Sequence, residues 1–341
     1  MPNNITNTAD NATIVGRFED ARVLIAGLGN IGSQLASLLA HSVAAMRLVD
    51  RDVVEARNLQ NQHFGPEDVG RAKVDAIADR LQRQAPNLHV ERRNSDLEDL
   101  PGGDFADIDL VFGALDSLAA RRALSEKAYP LRVAYIDGAV GLPFDVRVQV
   151  LLPGAACLQC SWGTAQYQQI STEYPCEVGG SPAAPPTGTS AAVGAATAAI
   201  MAAQAARLMA ADNPPTESYE ITGDLLSGRI TCGNRKRNDQ CRYLHQLPAQ
   251  IVPLAVPFAD ATVADLLAGV DEIASGSAVQ LRLRRGILAA GLFGENSLTS
   301  SEQLFGDRHR TLCEFGFAEK DHVAIQAGEG RRPIHISFTN T

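Results

Sequence analysis

The sequence predicts an α/β fold, a doubly wound and mostly parallel sheet, followed by a small C-terminal α+β module. Three observations carry that expectation. A continuous apolar run, Val23-Leu24-Ile25-Ala26, leads directly into Gly27-Leu28-Gly29-Asn30-Ile31-Gly32, the pattern of a buried strand entering a helix through a glycine turn. Apolar runs and helical periodicities then alternate as far as Ile136, which suits parallel strands joined by crossover helices. Beyond His245 that alternation stops, and short period-two segments take over.

The elements follow in order. Residues 1–18 read as a flexible tail. Ile31, Leu35, Leu38 and Leu39 recur on one face of a helix, and Met46 to Val49 forms a strand ending at Asp50. Val74, Ile77 and Leu81 mark a helix, Leu88 to Glu91 a strand, and Ile108 to Gly113 a buried strand. Ala119 to Ala128 is helical, and Val133 to Ile136 extended. Val146, Val148, Val150 and Leu152 alternate, as in a half-buried strand of an antiparallel extension. Residues 166–189 are polar, with Pro182, Pro185 and Pro186, and read as a surface loop crossing the site. The alanine-rich stretch from Ala191 to Ala211 is broken by Gly194, Thr197, Gln204 and Arg207, so it reads as a buried helix. Strands near Tyr219 and Arg229 follow. Pro248, Pro253 and Pro257 suggest a linker between a domain at 19–246 and a module at 255–341. The module reads as a helix at Thr262 to Val270 and alternating segments at Val279–Leu283, Val323–Ile325 and Ile334–Phe338.

Composition narrows the function class. Among 341 residues, 30 Lys and Arg face 39 Asp and Glu, a net charge of −9. That balance argues against a surface that tracks nucleic-acid phosphates or anionic lipid. Residues are 45% hydrophobic and 20% charged, a globular composition. The polar start, Met1 to Asn11, lacks the apolar core of a secretion signal. Six cysteines are too few for a disulfide scaffold, so a cytoplasmic protein with reduced thiols or a bound metal is expected.

The Gly27-x-Gly29-x-x-Gly32 turn lets backbone approach phosphate at a helix N-terminus. Asp50, eighteen residues past the last glycine, is placed to take ribose hydroxyls. These residues predict a Rossmann-like nucleotide fold and leave dinucleotide and ATP both open. The stretch beyond Asp50 is more selective. Leu48-Val-Asp50-Arg-Asp52-Val-Val-Glu-Ala-Arg57-Asn58-Leu-Gln-Asn61-Gln62 leads to Gly70-Arg71-Ala-Lys73. Asp116 then ends the apolar run Leu110-Val-Phe-Gly-Ala-Leu, with Arg121 five residues on. Taken singly, Lys73 reads as a solvated helix lysine and Asp116 as a helix N-cap.

Together, over residues 20–245, this succession resembles the ubiquitin-activating-enzyme-like family. The simplest members of that family are ThiF/MoeB-type adenylyltransferases of sulfur-carrier proteins. The resemblance implies that Gly27, Gly29, Asn30, Gly32, Asp50, Arg57, Asn58, Gln62 and Lys73 bind ATP and that Asp116 organises Mg²⁺. Adenylation needs a carboxylate beside the α-phosphate and cations around the departing pyrophosphate. The family usually reads Asn-Leu-x-Arg-Gln, and here Asn61 stands where the arginine belongs. Arg57, Arg71 and Arg17 are the alternative cations. A dehydrogenase becomes the least favoured reading, because it leaves Lys73 and Asp116 unexplained.

Cys157-Leu-Gln-Cys160 and Cys241-Arg-Tyr-Leu-His245 form the second constellation. A CxxC turn offers two thiolates to one tetrahedral ion, and a distant Cys/His pair completes the set, with Cys232 as an alternative to His245. Structural Zn²⁺ suits these ligands best. Cys176, in the polar loop, is the expected nucleophile accepting the activated acyl group as a thioester, by resemblance to related activators. Cys313 is expected to be a packed small hydrophobe. The C-terminal module resembles a ubiquitin-like β-grasp, which in full-size activators recruits a conjugating enzyme. The leading expectation is therefore an ATP-dependent activator of a ubiquitin-like protein, homodimeric by resemblance, that passes its thioester to a conjugating partner. Its rivals are adenylation without a thioester, activation of a small-molecule or RNA-linked carboxylate, and a catalytically silent scaffold.

Overall fold

The computed structural model describes residues 18–97, 99–141, 143–173, 189–210, 214–243 and 245. Toward the C-terminus it describes residues 251–253, 256–266, 268, 279–282, 309–315, 322–327 and 334–337. The chain divides into two compact units, one of 1–97 with 108–244 and one of 98–107 with 245–341.

The first unit is an eight-stranded sheet in the order β3-β2-β1-β4-β5-β6-β7-β8. Its parallel half comprises β1 (Arg22–Ala26), β2 (Ala45–Val49), β3 (His89–Arg93), β4 (Leu110–Gly113) and β5 (Ala134–Gly141). The antiparallel half adds β6 (Asp145–Leu151), β7 (Tyr219–Asp224) and β8 (Arg229–Asn234). Helices α1 (Gly32–Leu39), α2 (Lys73–Gln84) and α3 (Leu118–Ala128) lie between the parallel strands in the chain. Helices α4 (Thr164–Glu173) and α5 (Ala191–Ala210) precede β7. Because β2 and β4 flank β1, chain direction across the sheet reverses there, and such sheets bind ligands outside the strand carboxyl ends at that point.

The strands predicted from apolar runs form as expected, and Val23, Leu24, Ile25, Val111 and Phe112 are wholly buried. Helix α2 buries Val74, Ile77 and Leu81 on the predicted stripe. In α1 the stripe is narrower than the sequence suggests. Leu35 and Leu39 are buried, whereas Leu38 points outward, 51% exposed. Strand β6 departs in the other direction: Gln149 and Leu151 are buried along with Val146, Val148 and Val150, so from Val148 onward both faces of the strand are covered. Helix α5 is long and apolar enough to span a membrane by composition, yet it packs on α1, β5 and β6. Val193, Ala198, Met201 and Ala205 form its buried face, and Gly138 of β5 leaves the room that Met201 fills.

Three boundaries are corrected. Residues 166–173 are helical, part of α4, rather than loop, and the rest of the expected crossover loop, 174–188, lies outside the described residues. Phe18, assigned to the tail, is buried in the core. Within the proline-spaced linker, β9 (Ile251–Pro253) is a strand. It joins the second unit's sheet, ordered β10-β11-β12-β9, with β10 (Val279–Arg282), β11 (His322–Ala327) and β12 (Ile334–Ser337). Strand β9 runs parallel to β12 at the sheet edge, where a proline that cannot donate a ladder hydrogen bond is tolerated. The other pairings are antiparallel. Leu312, Ala261, Val263 and Leu266 supply buried side chains of this unit. Most of the connections that would define a β-grasp lie outside the described residues.

The core predicts its own sensitivity. Truncating the wholly buried Phe112 of β4 to alanine should cost about 3–5 kcal/mol of stability, measured by chemical denaturation.

Candidate functional site

The carboxyl ends of β1, β2 and β4 bring the glycine turn, Asp50 and Asp116 to one edge of the sheet. Gly27 adopts φ +85°, and a Cβ there would lie 2.5 Å from the Ala114 carbonyl oxygen. A Cβ on Gly32 would overlap the Gly27 carbonyl. At Gly29, by contrast, the nearest foreign atom to such a Cβ is Gln62 Nε2 at 3.9 Å, so the turn is open on that side. Gln62 Oε1 is buried with no hydrogen-bond partner among the described residues.

Asp50 is tied into this turn. Its Oδ2 accepts from the Leu28 backbone N–H at 2.6 Å and its Oδ1 from that of Asp52 at 2.8 Å. Burial raises the Asp50 pKa, with Lys73 pulling the other way. Lys73 opens α2 and is buried rather than solvated. Its Nζ donates to Asp52 Oδ2 at 2.9 Å and its backbone N–H to the Asp52 carbonyl. Asn58 sits in the 3₁₀ turn Ala56–Gln60, where its Oδ1 accepts from the Glu55 N–H at 2.8 Å.

Asp116 is exposed and makes no hydrogen bond or ion pair among the described residues. It is not the cap of α3. Ser117 fills that position, accepting from the Ala120 N–H at 3.1 Å.

Of the cations weighed against the missing arginine, Arg57 and Arg71 are committed elsewhere. Arg57 is exposed and pairs with Glu55 at 2.6 Å. Arg71 pairs with Asp68 and Asp79, and the Asp79 hydrogen bond raises its pKa. Arg17 lies outside the described residues. Asn61 is engaged too, its Nδ2 donating to the Thr189 carbonyl at 3.0 Å. Asn30 donates to Thr189 Oγ1 and the Ser190 carbonyl, both at 3.1 Å, and Gln34 to the Ala191 carbonyl at 3.0 Å. Three amide side chains thus hold the segment that enters α5. Sequence reasoning missed Gln34 and Thr189, since neither carries a motif.

Cys157, Cys160, Cys241 and His245 form a buried cluster whose ligand atoms all lie within 4.8 Å of one another. Cys157 caps the 3₁₀ turn Leu158–Ser161 and Cys160 lies within it, where the Asn238 N–H reaches Cys160 Sγ at 3.4 Å. The Cys157 sulfur lies 3.8 Å from that of Cys160 and 3.7 Å from that of Cys241. A tetrahedral ion with metal–sulfur bonds of about 2.3 Å requires a sulfur–sulfur edge of about 3.8 Å. Crowding by the neighbouring thiols and burial push the Cys157 thiol up, and burial does the same to Cys241. Cys232 lies exposed on β8, paired with Ile221, and does not join the cluster. Arg235 braces the turn by donating to the Leu158 carbonyl and Ser161 Oγ while pairing with Glu220 at 3.0 Å.

Cys176 lies outside the described residues. The expectation for Cys313 is overturned. It is exposed in the turn Cys313–Phe315, and Leu312 beside it takes the buried position.

The sequence profile of the ThiF family matches residues 10–243. The chain is 29% identical over 176 residues to the NEDD8-activating enzyme E1 catalytic subunit of Saccharomyces cerevisiae, covering 48% of this chain and 58% of that protein. It is 32% identical over 147 residues to the molybdopterin-synthase adenylyltransferase of Escherichia coli, covering 42% of this chain and 59% of that one. It therefore spans little more than half the length of these relatives. Among solved structures, E. coli MccB crystallised with ATP superposes with a TM-score of 0.54 at 20% identity, over 68% of each chain, a likeness of fold.

Two outcomes follow from this geometry. Gly27→Ala should lose about 1–2 kcal/mol from its left-handed backbone alone, more with the Ala114 contact, read by thermal unfolding. A raised Asp50 pKa means the neutral carboxyl favours the folded state, so that stabilisation is full below the ordinary carboxylate range and lost as pH rises through the raised value. Asp50→Asn should accordingly lose less stability than wild type as pH rises from about 4 to 7, measured by denaturation at each pH.

Proposed function

The chain belongs to the ThiF family, and we propose on that premise that it is an ATP-dependent adenylyltransferase activating the C-terminal carboxylate of a ubiquitin-like protein. The observation that carries this reading is the gathering at one sheet edge of the glycine turn, Asp50 and Asp116, the last without a partner among the described residues. The open side of Gly29 leaves room for a ligand against the turn. ATP would lie along this turn, its ribose at Asp50 and its phosphates toward Asn30, Asn58 and Lys73. Asp116 would hold Mg²⁺, which neutralises charge on the triphosphate.

In the reaction a carboxylate oxygen of the protein substrate bonds to the α-phosphorus as the bond to pyrophosphate breaks, leaving acyl-adenylate and pyrophosphate. Lys73 is kept at the site by Asp52, and its charge opposes the negative charge that builds on the leaving phosphates. The Cys176 thiolate then displaces AMP from the acyl carbon to form a thioester. That step rests on the sequence position of Cys176. The substrate's folded part has a surface available on β5–β8. A cavity of about 540 Å³ there is lined by Gly141, Arg147, Thr222 and Asp224, among others. Transfer to a conjugating partner through the C-terminal module, homodimerisation and a cytoplasmic setting complete the proposal. Cys157, Cys160, Cys241 and His245 would hold structural Zn²⁺, with all four positions filled by protein and none open for chemistry.

ATP–pyrophosphate exchange with candidate ubiquitin-like proteins tests the reading. Exchange should depend on one carrier and fall by about 100-fold or more in Asp116→Ala. No exchange with any carrier, together with no ATP binding, would leave the silent-scaffold reading, in which Asn61 marks a lost cation. A reductant-sensitive carrier adduct that persists in Cys176→Ala would remove the thioester step. For zinc, elemental analysis should find one ion per chain, and chelation should lower Tm.

A further inference from the structure

We propose that Arg121 is a positioning residue that sets Asp116, and that a buried Tyr135–Asp137 pair aims it; this rests on the adenylation reading. Asp116 has no polar partner of its own among the described residues, so its direction is decided by the backbone of 114–117. That loop is fixed at its start by the Ala114 N–H donating to the Ala26 carbonyl at 2.8 Å, and at its end by the Ser117 cap. Between these points the Leu115 carbonyl accepts from Arg121 Nη2. Among the described residues, no other hydrogen bond reaches Leu115 or Asp116.

The guanidinium is aimed from its other side. Arg121 Nη1 donates to Asp137 Oδ2 at 2.5 Å, and the Tyr135 hydroxyl donates to Asp137 Oδ1 at 2.6 Å. Asp137 is wholly buried, and Arg121 nearly so. Both carboxylate oxygens are therefore used, and one arginine fork spans the carboxylate and the carbonyl, which the single ammonium of lysine cannot reproduce. Burial and the Asp137 charge push the Tyr135 hydroxyl well above its ordinary pKa, so it remains a donor. Its ring and hydroxyl occupy the space where Gly113, the last residue of β4, lacks a side chain.

A buried ion pair roughly breaks even with apolar packing, so what this one contributes is geometry. The consequence reaches the phosphate turn as well. The Ala114 carbonyl abuts Gly27, and the Ala114 Cβ borders Gly32. A loop that drifts at Leu115 would move Asp116 relative to that turn.

The test uses the full chain and reads the Mg²⁺ dependence of ATP–pyrophosphate exchange beside thermal unfolding, in Arg121→Lys, Tyr135→Phe and Asp116→Ala. In Arg121→Lys the Mg²⁺ concentration for half-maximal exchange should rise about tenfold or more, with a smaller loss of rate at saturating Mg²⁺. Tyr135→Phe, which removes only a hydroxyl, should shift it in the same direction by less. Variants that unfold at lower temperature yet keep the wild-type Mg²⁺ dependence would overturn the proposal. If Arg121→Lys does not fold, Tyr135→Phe decides by the same criterion. Asp116→Ala separates the two claims. An unchanged Mg²⁺ dependence in that variant would sink the role of Asp116 itself, whereas a changed one with normal Arg121 and Tyr135 variants would sink only the positioning.

Discussion

Two backbones meet at the carboxyl ends of β1 and β4, and their close approach is the constraint on which the rest of this molecule depends. Gly27 turns through a left-handed conformation directly beneath the Ala114 carbonyl, and Gly32 sits against both. Backbone hydrogen bonds from Gly27 to Val49 and from Ala114 to Ala26 stitch the ends of β2, β1 and β4 together. A side chain at either glycine would part these segments. With them joined, carboxylates distant in sequence, Asp50 and Asp116, share one sheet edge.

The charges around that edge are unusual for a site meant to meet phosphate. Asp50, Asp52 and Asp116 are acidic, while Arg57, Arg71, Lys73 and Arg121 are each paired with a carboxylate. Coulomb repulsion between phosphates and unscreened carboxylates is strong where water is displaced. Under the proposed activity, the countercharge would come from Lys73 and from the ion at Asp116. Asn61 brings no charge there, and its amide instead holds the entrance to α5.

The thiol cluster solves a different problem. Its two halves lie far apart in the chain, in the turn after β6 and in the segment after β8. Three buried thiols at van der Waals distance gain little from one another, and the raised pKa values of Cys157 and Cys241 express that crowding and burial. An ion with tetrahedral preference matches their spacing and would convert a crowded apolar knot into a cross-link between the two halves.

Much of this was legible in the sequence because it is local. Apolar runs set β1, β2 and β4, a 3.6-residue stripe set α2, and glycines at fixed spacing set the turn, since each depends on neighbours along the chain. The CxxC spacing likewise announced half of the thiol cluster. Tertiary structure decided the rest. Whether Leu38 and Cys313 face solvent, whether residues 166–173 form a loop or a helix, and whether Pro253 ends a strand all depend on which surfaces are covered. So did the choice of His245 over Cys232 beside the cysteines, and the commitment of Arg57 and Arg71 to carboxylates. The Arg121–Asp137–Tyr135 arrangement carries no spacing signal at all. Its members meet because β4 and β5 pair in parallel and α3 crosses between them, and only that packing brings one guanidinium within reach of both a buried carboxylate and the carbonyl before Asp116.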